Sequence, residues 1–344
     1  MKNNKKDNNK NNKNNNNKNN NNKNNNNKNN NSSKNNNNDN NNEKETLLSV
    51  QGLSKYFYSG IIKREKNIGA EDVSFDIKSG EIISLIGESG SGKTTIGKVI
   101  LKLLSPSKGK VLYKGKDIRE FNSKSEKKEY YRNIQGVFQD PFSTFNSLFQ
   151  VSRIFKMVFR IFLPDTEDID DKIVAALDEV NLNPNLLEKY PHQLSGGQLQ
   201  RLLIARALLL DVDILVADEL ISMLDASTRM GILNLLIDIC QEKDMAILFI
   251  THDLNLGYYV SDRTLILRKG RLVERGNTKK VYENPVHPYT ELLFRSVPDI
   301  KERWDRKKAF LPEQIDEEVD KFYKKHEGKG FQKVDEEHYV LYSE

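Results

Sequence analysis

Cysteine is almost absent: Cys240 stands alone in 344 residues. That excludes an intrachain disulfide framework and any cysteine-based zinc site, and it fits a reducing compartment. The five histidines (His192, His252, His287, His326 and His338) are scattered, without the spacing of a metal-ligand set. No apolar run approaches the ~18 residues that a membrane-spanning helix needs. The start of the chain lacks the short apolar segment of a secretory leader. The expectation is a soluble chain, held at a membrane by other chains if it works there.

Residues 1–45 have almost no apolar side chains. They are nearly all Asn and Lys, with Lys13, Lys18, Lys23 and Lys28 five apart. With so little to bury, nothing offsets the entropy of ordering, and the stretch is expected to be disordered. Of the 54 basic and 49 acidic residues, 10 and 4 lie in this tail, leaving 44 and 45 for the rest. The net charge of +5 is therefore a property of the tail. Such a tail could touch nucleic acid or anionic lipid. The preferred reading is a low-complexity extension with no specific nucleic-acid partner.

From residue 46 short apolar runs alternate with helical stretches. Residues 48–53, 73–77, 81–86, 111–113 and 136–138 read as strands, and 93–104 as a helix stopped by Ser105-Pro106. Residues 149–163, 169–180 and 185–190 form a helical block. A second series follows: helices at 198–209 and 228–243, strands at 213–217 and 245–251. Strands at 265–267 and 271–274 close the sheet. Alternation of this kind predicts an α/β fold with a mostly parallel sheet covered on both faces, and the helical block looks like a subdomain. After Pro298 the chain is highly charged and is read as an extension, residues 299–344.

The motif that carries most chemistry is Gly87-Glu88-Ser89-Gly90-Ser91-Gly92-Lys93-Thr94, a full GxxxxGK[ST] after an apolar strand and at the start of a helix. Glycines let the backbone wrap a phosphate, with amides pointing inward at the helix N-terminus. Lys93 brings positive charge to the β and γ phosphates, and the Thr94 hydroxyl can ligate Mg²⁺. The apolar strand 213–217 ends in Asp218 and Glu219, which point in different directions, so one carboxylate can face a cation and the other water. That pair is weak evidence alone. Lying 125 residues after Lys93, it is the expected partner of a phosphate loop.

The segment Leu194-Ser195-Gly196-Gly197-Gln198-Leu199-Gln200-Arg201 resembles the signature motif of ABC ATPases. In order around it, Gln139 looks like the Q-loop, Leu224-Asp225 like the D-loop, and His252 like the switch histidine. Phe57 looks like the aromatic that stacks on adenine, with Tyr56 the alternative. The resemblance covers about residues 48–298 and implies a P-loop NTPase fold, the ABC nucleotide-binding domain over 46–298. An antiparallel β subdomain and a helical subdomain at about 140–205 come with it. It implies ATP held by Phe57, Gly87, Glu88, Ser89, Gly90, Ser91, Gly92, Lys93, Thr94 and Thr95. Mg²⁺ would be held by Thr94, Gln139 and Asp218. Hydrolysis would rest on Glu219, His252, Gln139 and Lys93. Ser195, Gly196, Gly197 and Gln198 would serve the opposite site in a head-to-tail pair. Leu220 departs from the family's usual Pro after the Asp-Glu pair but leaves both carboxylates in place.

Residues 138–146, FQDPFSTFN, and 190–195, YPHQLS, resemble the oligopeptide and dipeptide import ATPases. So does the segment at about 278–298, with its NPVHPYT. The resemblance implies a peripheral subunit on the cytoplasmic face of the cell membrane. Its partners would be two transmembrane permeases, a second ATPase (a heterodimer) and an extracellular solute-binding protein. Cys240 alone implies that the iron-sulfur cluster of some relatives is missing. Import of another solute, such as nickel or glutathione, stays open, because nothing in the chain meets the substrate. A soluble ABC ATPase acting on ribosomes or DNA is disfavoured by the single cassette and the missing zinc cysteines. A purely structural role would need a dead site.

Overall fold

The computed structural model describes residues 44–60, 65–296 and 312–343. Nearly all of the Asn/Lys tail, for which disorder is expected, lies outside these residues. In chain order the elements begin with β1 (Thr46–Ser59), β2 (Glu65–Lys78), β3 (Ile82–Ile86), α1 (Lys93–Ile100), β4 (Lys108–Tyr113), β5 (Lys116–Asp117), α2 (Lys124–Asn133) and β6 (Ile134–Phe138). A helical layer follows with α3 (Pro141–Thr144), α4 (Ser152–Phe162), α5 (Ile169–Glu179) and α6 (Gly196–Leu208). Then come β7 (Ile214–Asp218), α7 (Ala226–Lys243), β8 (Ala246–Thr251), α8 (Leu254–Val260), β9 (Arg263–Arg268) and β10 (Arg271–Asn277). The described chain closes with α9 (Thr278–Glu283), α10 (Pro288–Arg295), α11 (Pro312–Lys325), β11 (Phe331–Asp335) and β12 (His338–Leu341).

Two sheets result. An antiparallel one has the order β2-β1-β4-β5, and an eight-stranded one runs β11-β12-β10-β9-β3-β8-β7-β6. In the larger sheet β9, β3, β8, β7 and β6 are parallel. Strands β3, β7 and β8 are buried at every position, which explains their predominantly apolar sequences: both faces are covered. Helix α1 lies between the sheets. Its Ile96, Val99 and Ile100 join Val50, Val73 and Phe75 on one side and Leu85, Val216 and Leu248 on the other. Full burial of each such side chain stabilises by about 1.5–3 kcal/mol. A second core joins Phe155, Phe159, Ile173 and Leu177 to Leu199, Leu203, Leu233 and Leu236, so the helical layer is seated on α6 and α7.

Helix α1 is shorter than its apolar pattern suggests. Lys102 takes a left-handed φ of 53°, and the Leu103 amide reaches back to the Lys98 carbonyl at 2.8 Å, which closes the helix in a left-handed turn before Ser105. Helix α2 has no counterpart in the sequence reading, since Tyr130 is its one buried residue. A reciprocal cap between Ser123 and Glu126 starts it.

The larger sheet runs past residue 298, where the sequence reading ended the cassette. Strand β12 pairs with β10, Val340 opposite Glu274, and β11 adds to its other side. Charge hid this segment. In α11 Ile315, Val319, Phe322 and Tyr323 recur at helical spacing on a covered face, while charged and polar residues fill most of the rest. Glu274, fully buried, ties the segment down. One carboxylate oxygen accepts from the Val286 amide at 2.9 Å and lies 2.8 Å from His338 Nε2; the other accepts from the His287 amide at 3.0 Å.

Replacing Glu274 by Ala leaves the buried His287 amide and His338 ring and the half-buried Val286 amide without their partner. The variant should lose about 3–5 kcal/mol of unfolding free energy, the cost of orphaning buried polar and charged groups. Guanidinium denaturation would check this. A loss below about 1 kcal/mol would mean that water replaces the carboxylate.

Candidate nucleotide site

Four neighbouring parallel strands end together. Ile86 pairs with Thr251, Asp218 with Ile250, and Phe138 with Asp218. The next residue on each strand is Gly87, His252, Glu219 and Gln139 respectively. The register thus places four of the sequence-derived candidates along the carboxyl edge of one sheet, where ligands of open α/β sheets bind.

Residues 87–92 turn from β3 into α1. Gly90 and Gly92 have φ of 81° and 109°, and a Cβ on Gly92 would lie 2.1 Å from the Gly69 carbonyl oxygen, so only glycine fits there. Lys93 is buried, and its Nζ donates to the Gly87 and Glu88 carbonyls at 2.7 and 2.8 Å. Burial lowers its pKa, opposed by the charges of Glu219, Asp218 and Glu88. Thr94 Oγ1 donates to Asp218 Oδ1 at 3.3 Å. Burial raises the Asp218 pKa, and the negative charge of Glu219 adds to that, while the Thr94 hydrogen bond and Lys93 pull it down. Two opposite charges are therefore held out of water at the mouth of the phosphate loop, each opposed by desolvation.

Glu219 has a left-handed φ of 49°, which turns its carboxylate away from the Asp218 direction. Its amide donates to the Ile250 carbonyl at 2.9 Å, and its Oε1 lies 3.2 Å from His252 Nδ1. Gln139 is exposed at the end of β6.

Phe57 and Tyr56 point to opposite faces of β1. A Cβ on Gly69 would meet the Phe57 ring at 2.6 Å and Thr95 Cγ2 at 3.0 Å, so this ring lies over the first turn of α1. Tyr56 is occupied elsewhere: its hydroxyl donates to Glu71 at 3.2 Å, and Lys66 Nζ sits 3.6 Å from its ring centre.

Ser195 caps α6, accepting from the Gln198 amide at 3.2 Å, while the Gln198 side chain accepts from the Ser195 amide at 3.0 Å. A Cβ on Gly197 would collide with Thr228 at 2.6 Å. The contacts of these signature residues are with Leu224 and Thr228, on the segment after β7, rather than with the phosphate loop of their own chain. The sequence reading assigned Gln200 no role. It is buried in α6, and its side-chain amide donates to the Phe138 carbonyl at 3.3 Å and to that of Leu220. One amide thus joins the residue before Gln139 to the residue after Glu219. The available signal was a polar residue amid Leu199, Leu202 and Leu203 on a buried helix.

Comparison with known proteins identifies the family. A model described as ABC transporter matches residues 70–222, and one described as oligopeptide/dipeptide transporter, C-terminal region, matches residues 273–333. The oligopeptide transport ATP-binding protein OppF of Streptococcus pyogenes is 42% identical over 283 residues, 80% of this chain and 91% of that one. The chain belongs to the ABC transporter family. Its C-terminal region is that of the oligopeptide/dipeptide transporters. AppF of Bacillus subtilis, also an oligopeptide transport ATP-binding protein, is 38% identical over 265 residues, 76% of this chain and 80% of that one. Among solved structures, cbiO1 of Clostridium perfringens, part of an ABC transporter complex, aligns with a TM-score of 0.61 at 27% identity. That alignment covers 70% of this chain and 91% of cbiO1. A dimeric ATP-binding cassette in a post-hydrolysis state with ADP and Pi aligns at 0.61 and 26% identity, over 67% and 99%. This ABC cassette is an ATP-binding, ATP-hydrolysing enzyme.

Because burial raises the Asp218 pKa, the folded chain holds an ionised carboxylate at a cost above that raised value. The cost fades as pH falls through it towards the ordinary carboxylate range. Asp218→Asn should therefore melt higher than the unsubstituted cassette at pH 7 without nucleotide. The gap should narrow as pH is lowered towards 4. Melting curves read both; a lower melting temperature for D218N at pH 7 would contradict the account.

Proposed function

We propose that this chain is the ATP-hydrolysing motor subunit of an importer for oligopeptides, bound to the cytoplasmic face of the membrane through two permease subunits. The observation that carries the reading is the C-terminal match over residues 273–333, in a chain whose relatives are oligopeptide transport ATP-binding proteins. Those relatives also disfavour nickel or glutathione as the solute. Among the described residues no helix is long and apolar enough to cross a membrane, so attachment falls to other chains. A second ATPase would complete the pair, and an extracellular solute-binding protein would deliver the peptide.

In this reading Phe57 stacks on adenine and residues 87–95 wrap the phosphates, with the Lys93 ammonium facing the β and γ phosphates. Thr94 Oγ1 and Asp218 Oδ1, hard oxygens 3.3 Å apart, would hold Mg²⁺ with Gln139. Among the described residues no three His, Cys, Asp or Glu converge on one point, so such a cation takes most of its ligands from phosphates and water. When bound, it supplies positive charge against the γ-phosphate. Glu219 would accept the proton of the attacking water, and His252, 3.2 Å from it, would fix the carboxylate and meet the γ-phosphate. The signature residues Ser195, Gly196, Gly197 and Gln198 close on the nucleotide of the opposite subunit, where the helix N-terminus favours phosphate.

Glu219→Gln should reduce turnover by about 10²–10⁴-fold, the usual contribution of a general base, while ATP still binds and locks the pair closed. Unchanged phosphate release would remove Glu219 from that role. Phe57→Ala should weaken ATP binding, whereas Tyr56→Ala should not. Co-purification from detergent-solubilised membranes tests the assembly: two multi-span permeases and a second ATPase are expected. Ribosomes or DNA-bound proteins without a permease would overturn the importer reading.

A further inference from the structure

The phosphate loop is gripped from outside the strand-loop-helix motif. Gly87 carbonyl and Glu88 amide belong to one planar peptide unit, whose two polar groups point in opposite directions. The carbonyl accepts from Lys93 Nζ at 2.7 Å. The amide donates to the Tyr289 hydroxyl at 3.2 Å, from α10. The first peptide plane of the loop is thus held from both sides, by the loop's own lysine and by a tyrosine 201 residues further along.

Tyr289 is itself held closely. Its ring is buried in a core with Ile86, the residue before the loop, and with Ile266 and Val319. Its amide donates to His287 Nδ1 at 3.2 Å, and burial pushes the His287 pKa down to about 3, keeping that nitrogen free to accept. The His287 amide is fixed by Glu274 at 3.0 Å, and the same carboxylate meets His338. On the outer side Asp316 of α11 pairs with Lys269 at 2.7 Å and with Arg268. Burial raises the Tyr289 phenol to about 12, so it stays protonated at neutral pH. A contiguous line of hydrogen bonds runs from the C-terminal hairpin to the first amide of the loop.

We infer that Tyr289 is a positioning residue for nucleotide binding: its hydroxyl fixes the Gly87–Glu88 peptide and, through that carbonyl, the Lys93 ammonium. The C-terminal region thereby preorganises the phosphate loop in addition to closing the sheet. This rests on the reading that residues 87–95 hold the phosphates. A loop whose first plane is free to rotate must be ordered when ATP binds, at the expense of affinity.

The test uses the full chain and a fluorescent ATP analogue. Tyr289→Phe keeps the ring and removes the one hydroxyl. Its affinity should fall by about three- to tenfold, the range expected for one hydrogen bond. Tyr282→Phe is the control. Tyr282 is packed against the same core, and its hydroxyl donates to the Leu254 carbonyl at 2.7 Å, away from the loop. It should lose comparable thermal stability and keep its affinity. Lys93→Ala separates the two levels: unchanged affinity there sinks the phosphate-loop reading itself. Lost affinity in K93A beside a Y289F value within twofold of the unsubstituted chain sinks this inference alone. Should Y289F fail to fold, amide exchange in the unsubstituted protein decides. Glu88 should exchange slowly, and exchange as fast as an exposed loop amide overturns the contact.

Discussion

Everything at the nucleotide site depends on the register of four parallel strands. Because Ile86 lies opposite Thr251 and Phe138 opposite Asp218, the residues that follow emerge at one level, and no long loop is needed to gather them. A slip of one residue in β7 would exchange the directions of Asp218 and Glu219 and separate both from Thr94. Strands β3, β7 and β8 are buried at every position, so each is locked between two covered faces.

The site is assembled against local preference. Lys93 and Asp218 are buried charges opposed by desolvation, and Glu219 takes a backbone conformation that L-residues avoid. The surrounding packing tolerates this because the structural anchors lie elsewhere: Gln200 ties the ends of β6 and β7 to α6, and Glu274 ties the C-terminal segment to β10. Costly groups gather at the proposed nucleotide site, and well-satisfied ones hold the frame.

The chemistry was more legible in the sequence than the frame around it. The phosphate loop, the Asp-Glu pair and Ser195-Gly196-Gly197 announce themselves because glycine and charge at fixed spacing have few other uses. Phe57 and Tyr56, adjacent in the sequence, differ in their surroundings only in three dimensions: Phe57 lies by Gly69 and Thr95, Tyr56 by Glu71 and Lys66. Gln200 and Tyr289 were hidden because each acts through backbone carbonyls and amides of distant residues, which leave no trace in side-chain spacing. Helix α2 and the segment after residue 311 escaped for another reason. Their surfaces are so charged that one buried tyrosine, or an apolar residue every third or fourth position, does not raise local hydrophobicity.

The measurement that bears most directly on this arrangement is a crystal structure of the full chain with a slowly hydrolysed ATP analogue. The phosphates should lie against the amides of residues 90–95 and Lys93 Nζ, with the γ-phosphate facing Asp218 and Glu219 and the adenine on Phe57. A nucleotide seated instead in the cavity of about 390 Å³ between residues 88–91 and Arg268, Tyr289 and Asp316, away from Asp218 and Glu219, would contradict the account.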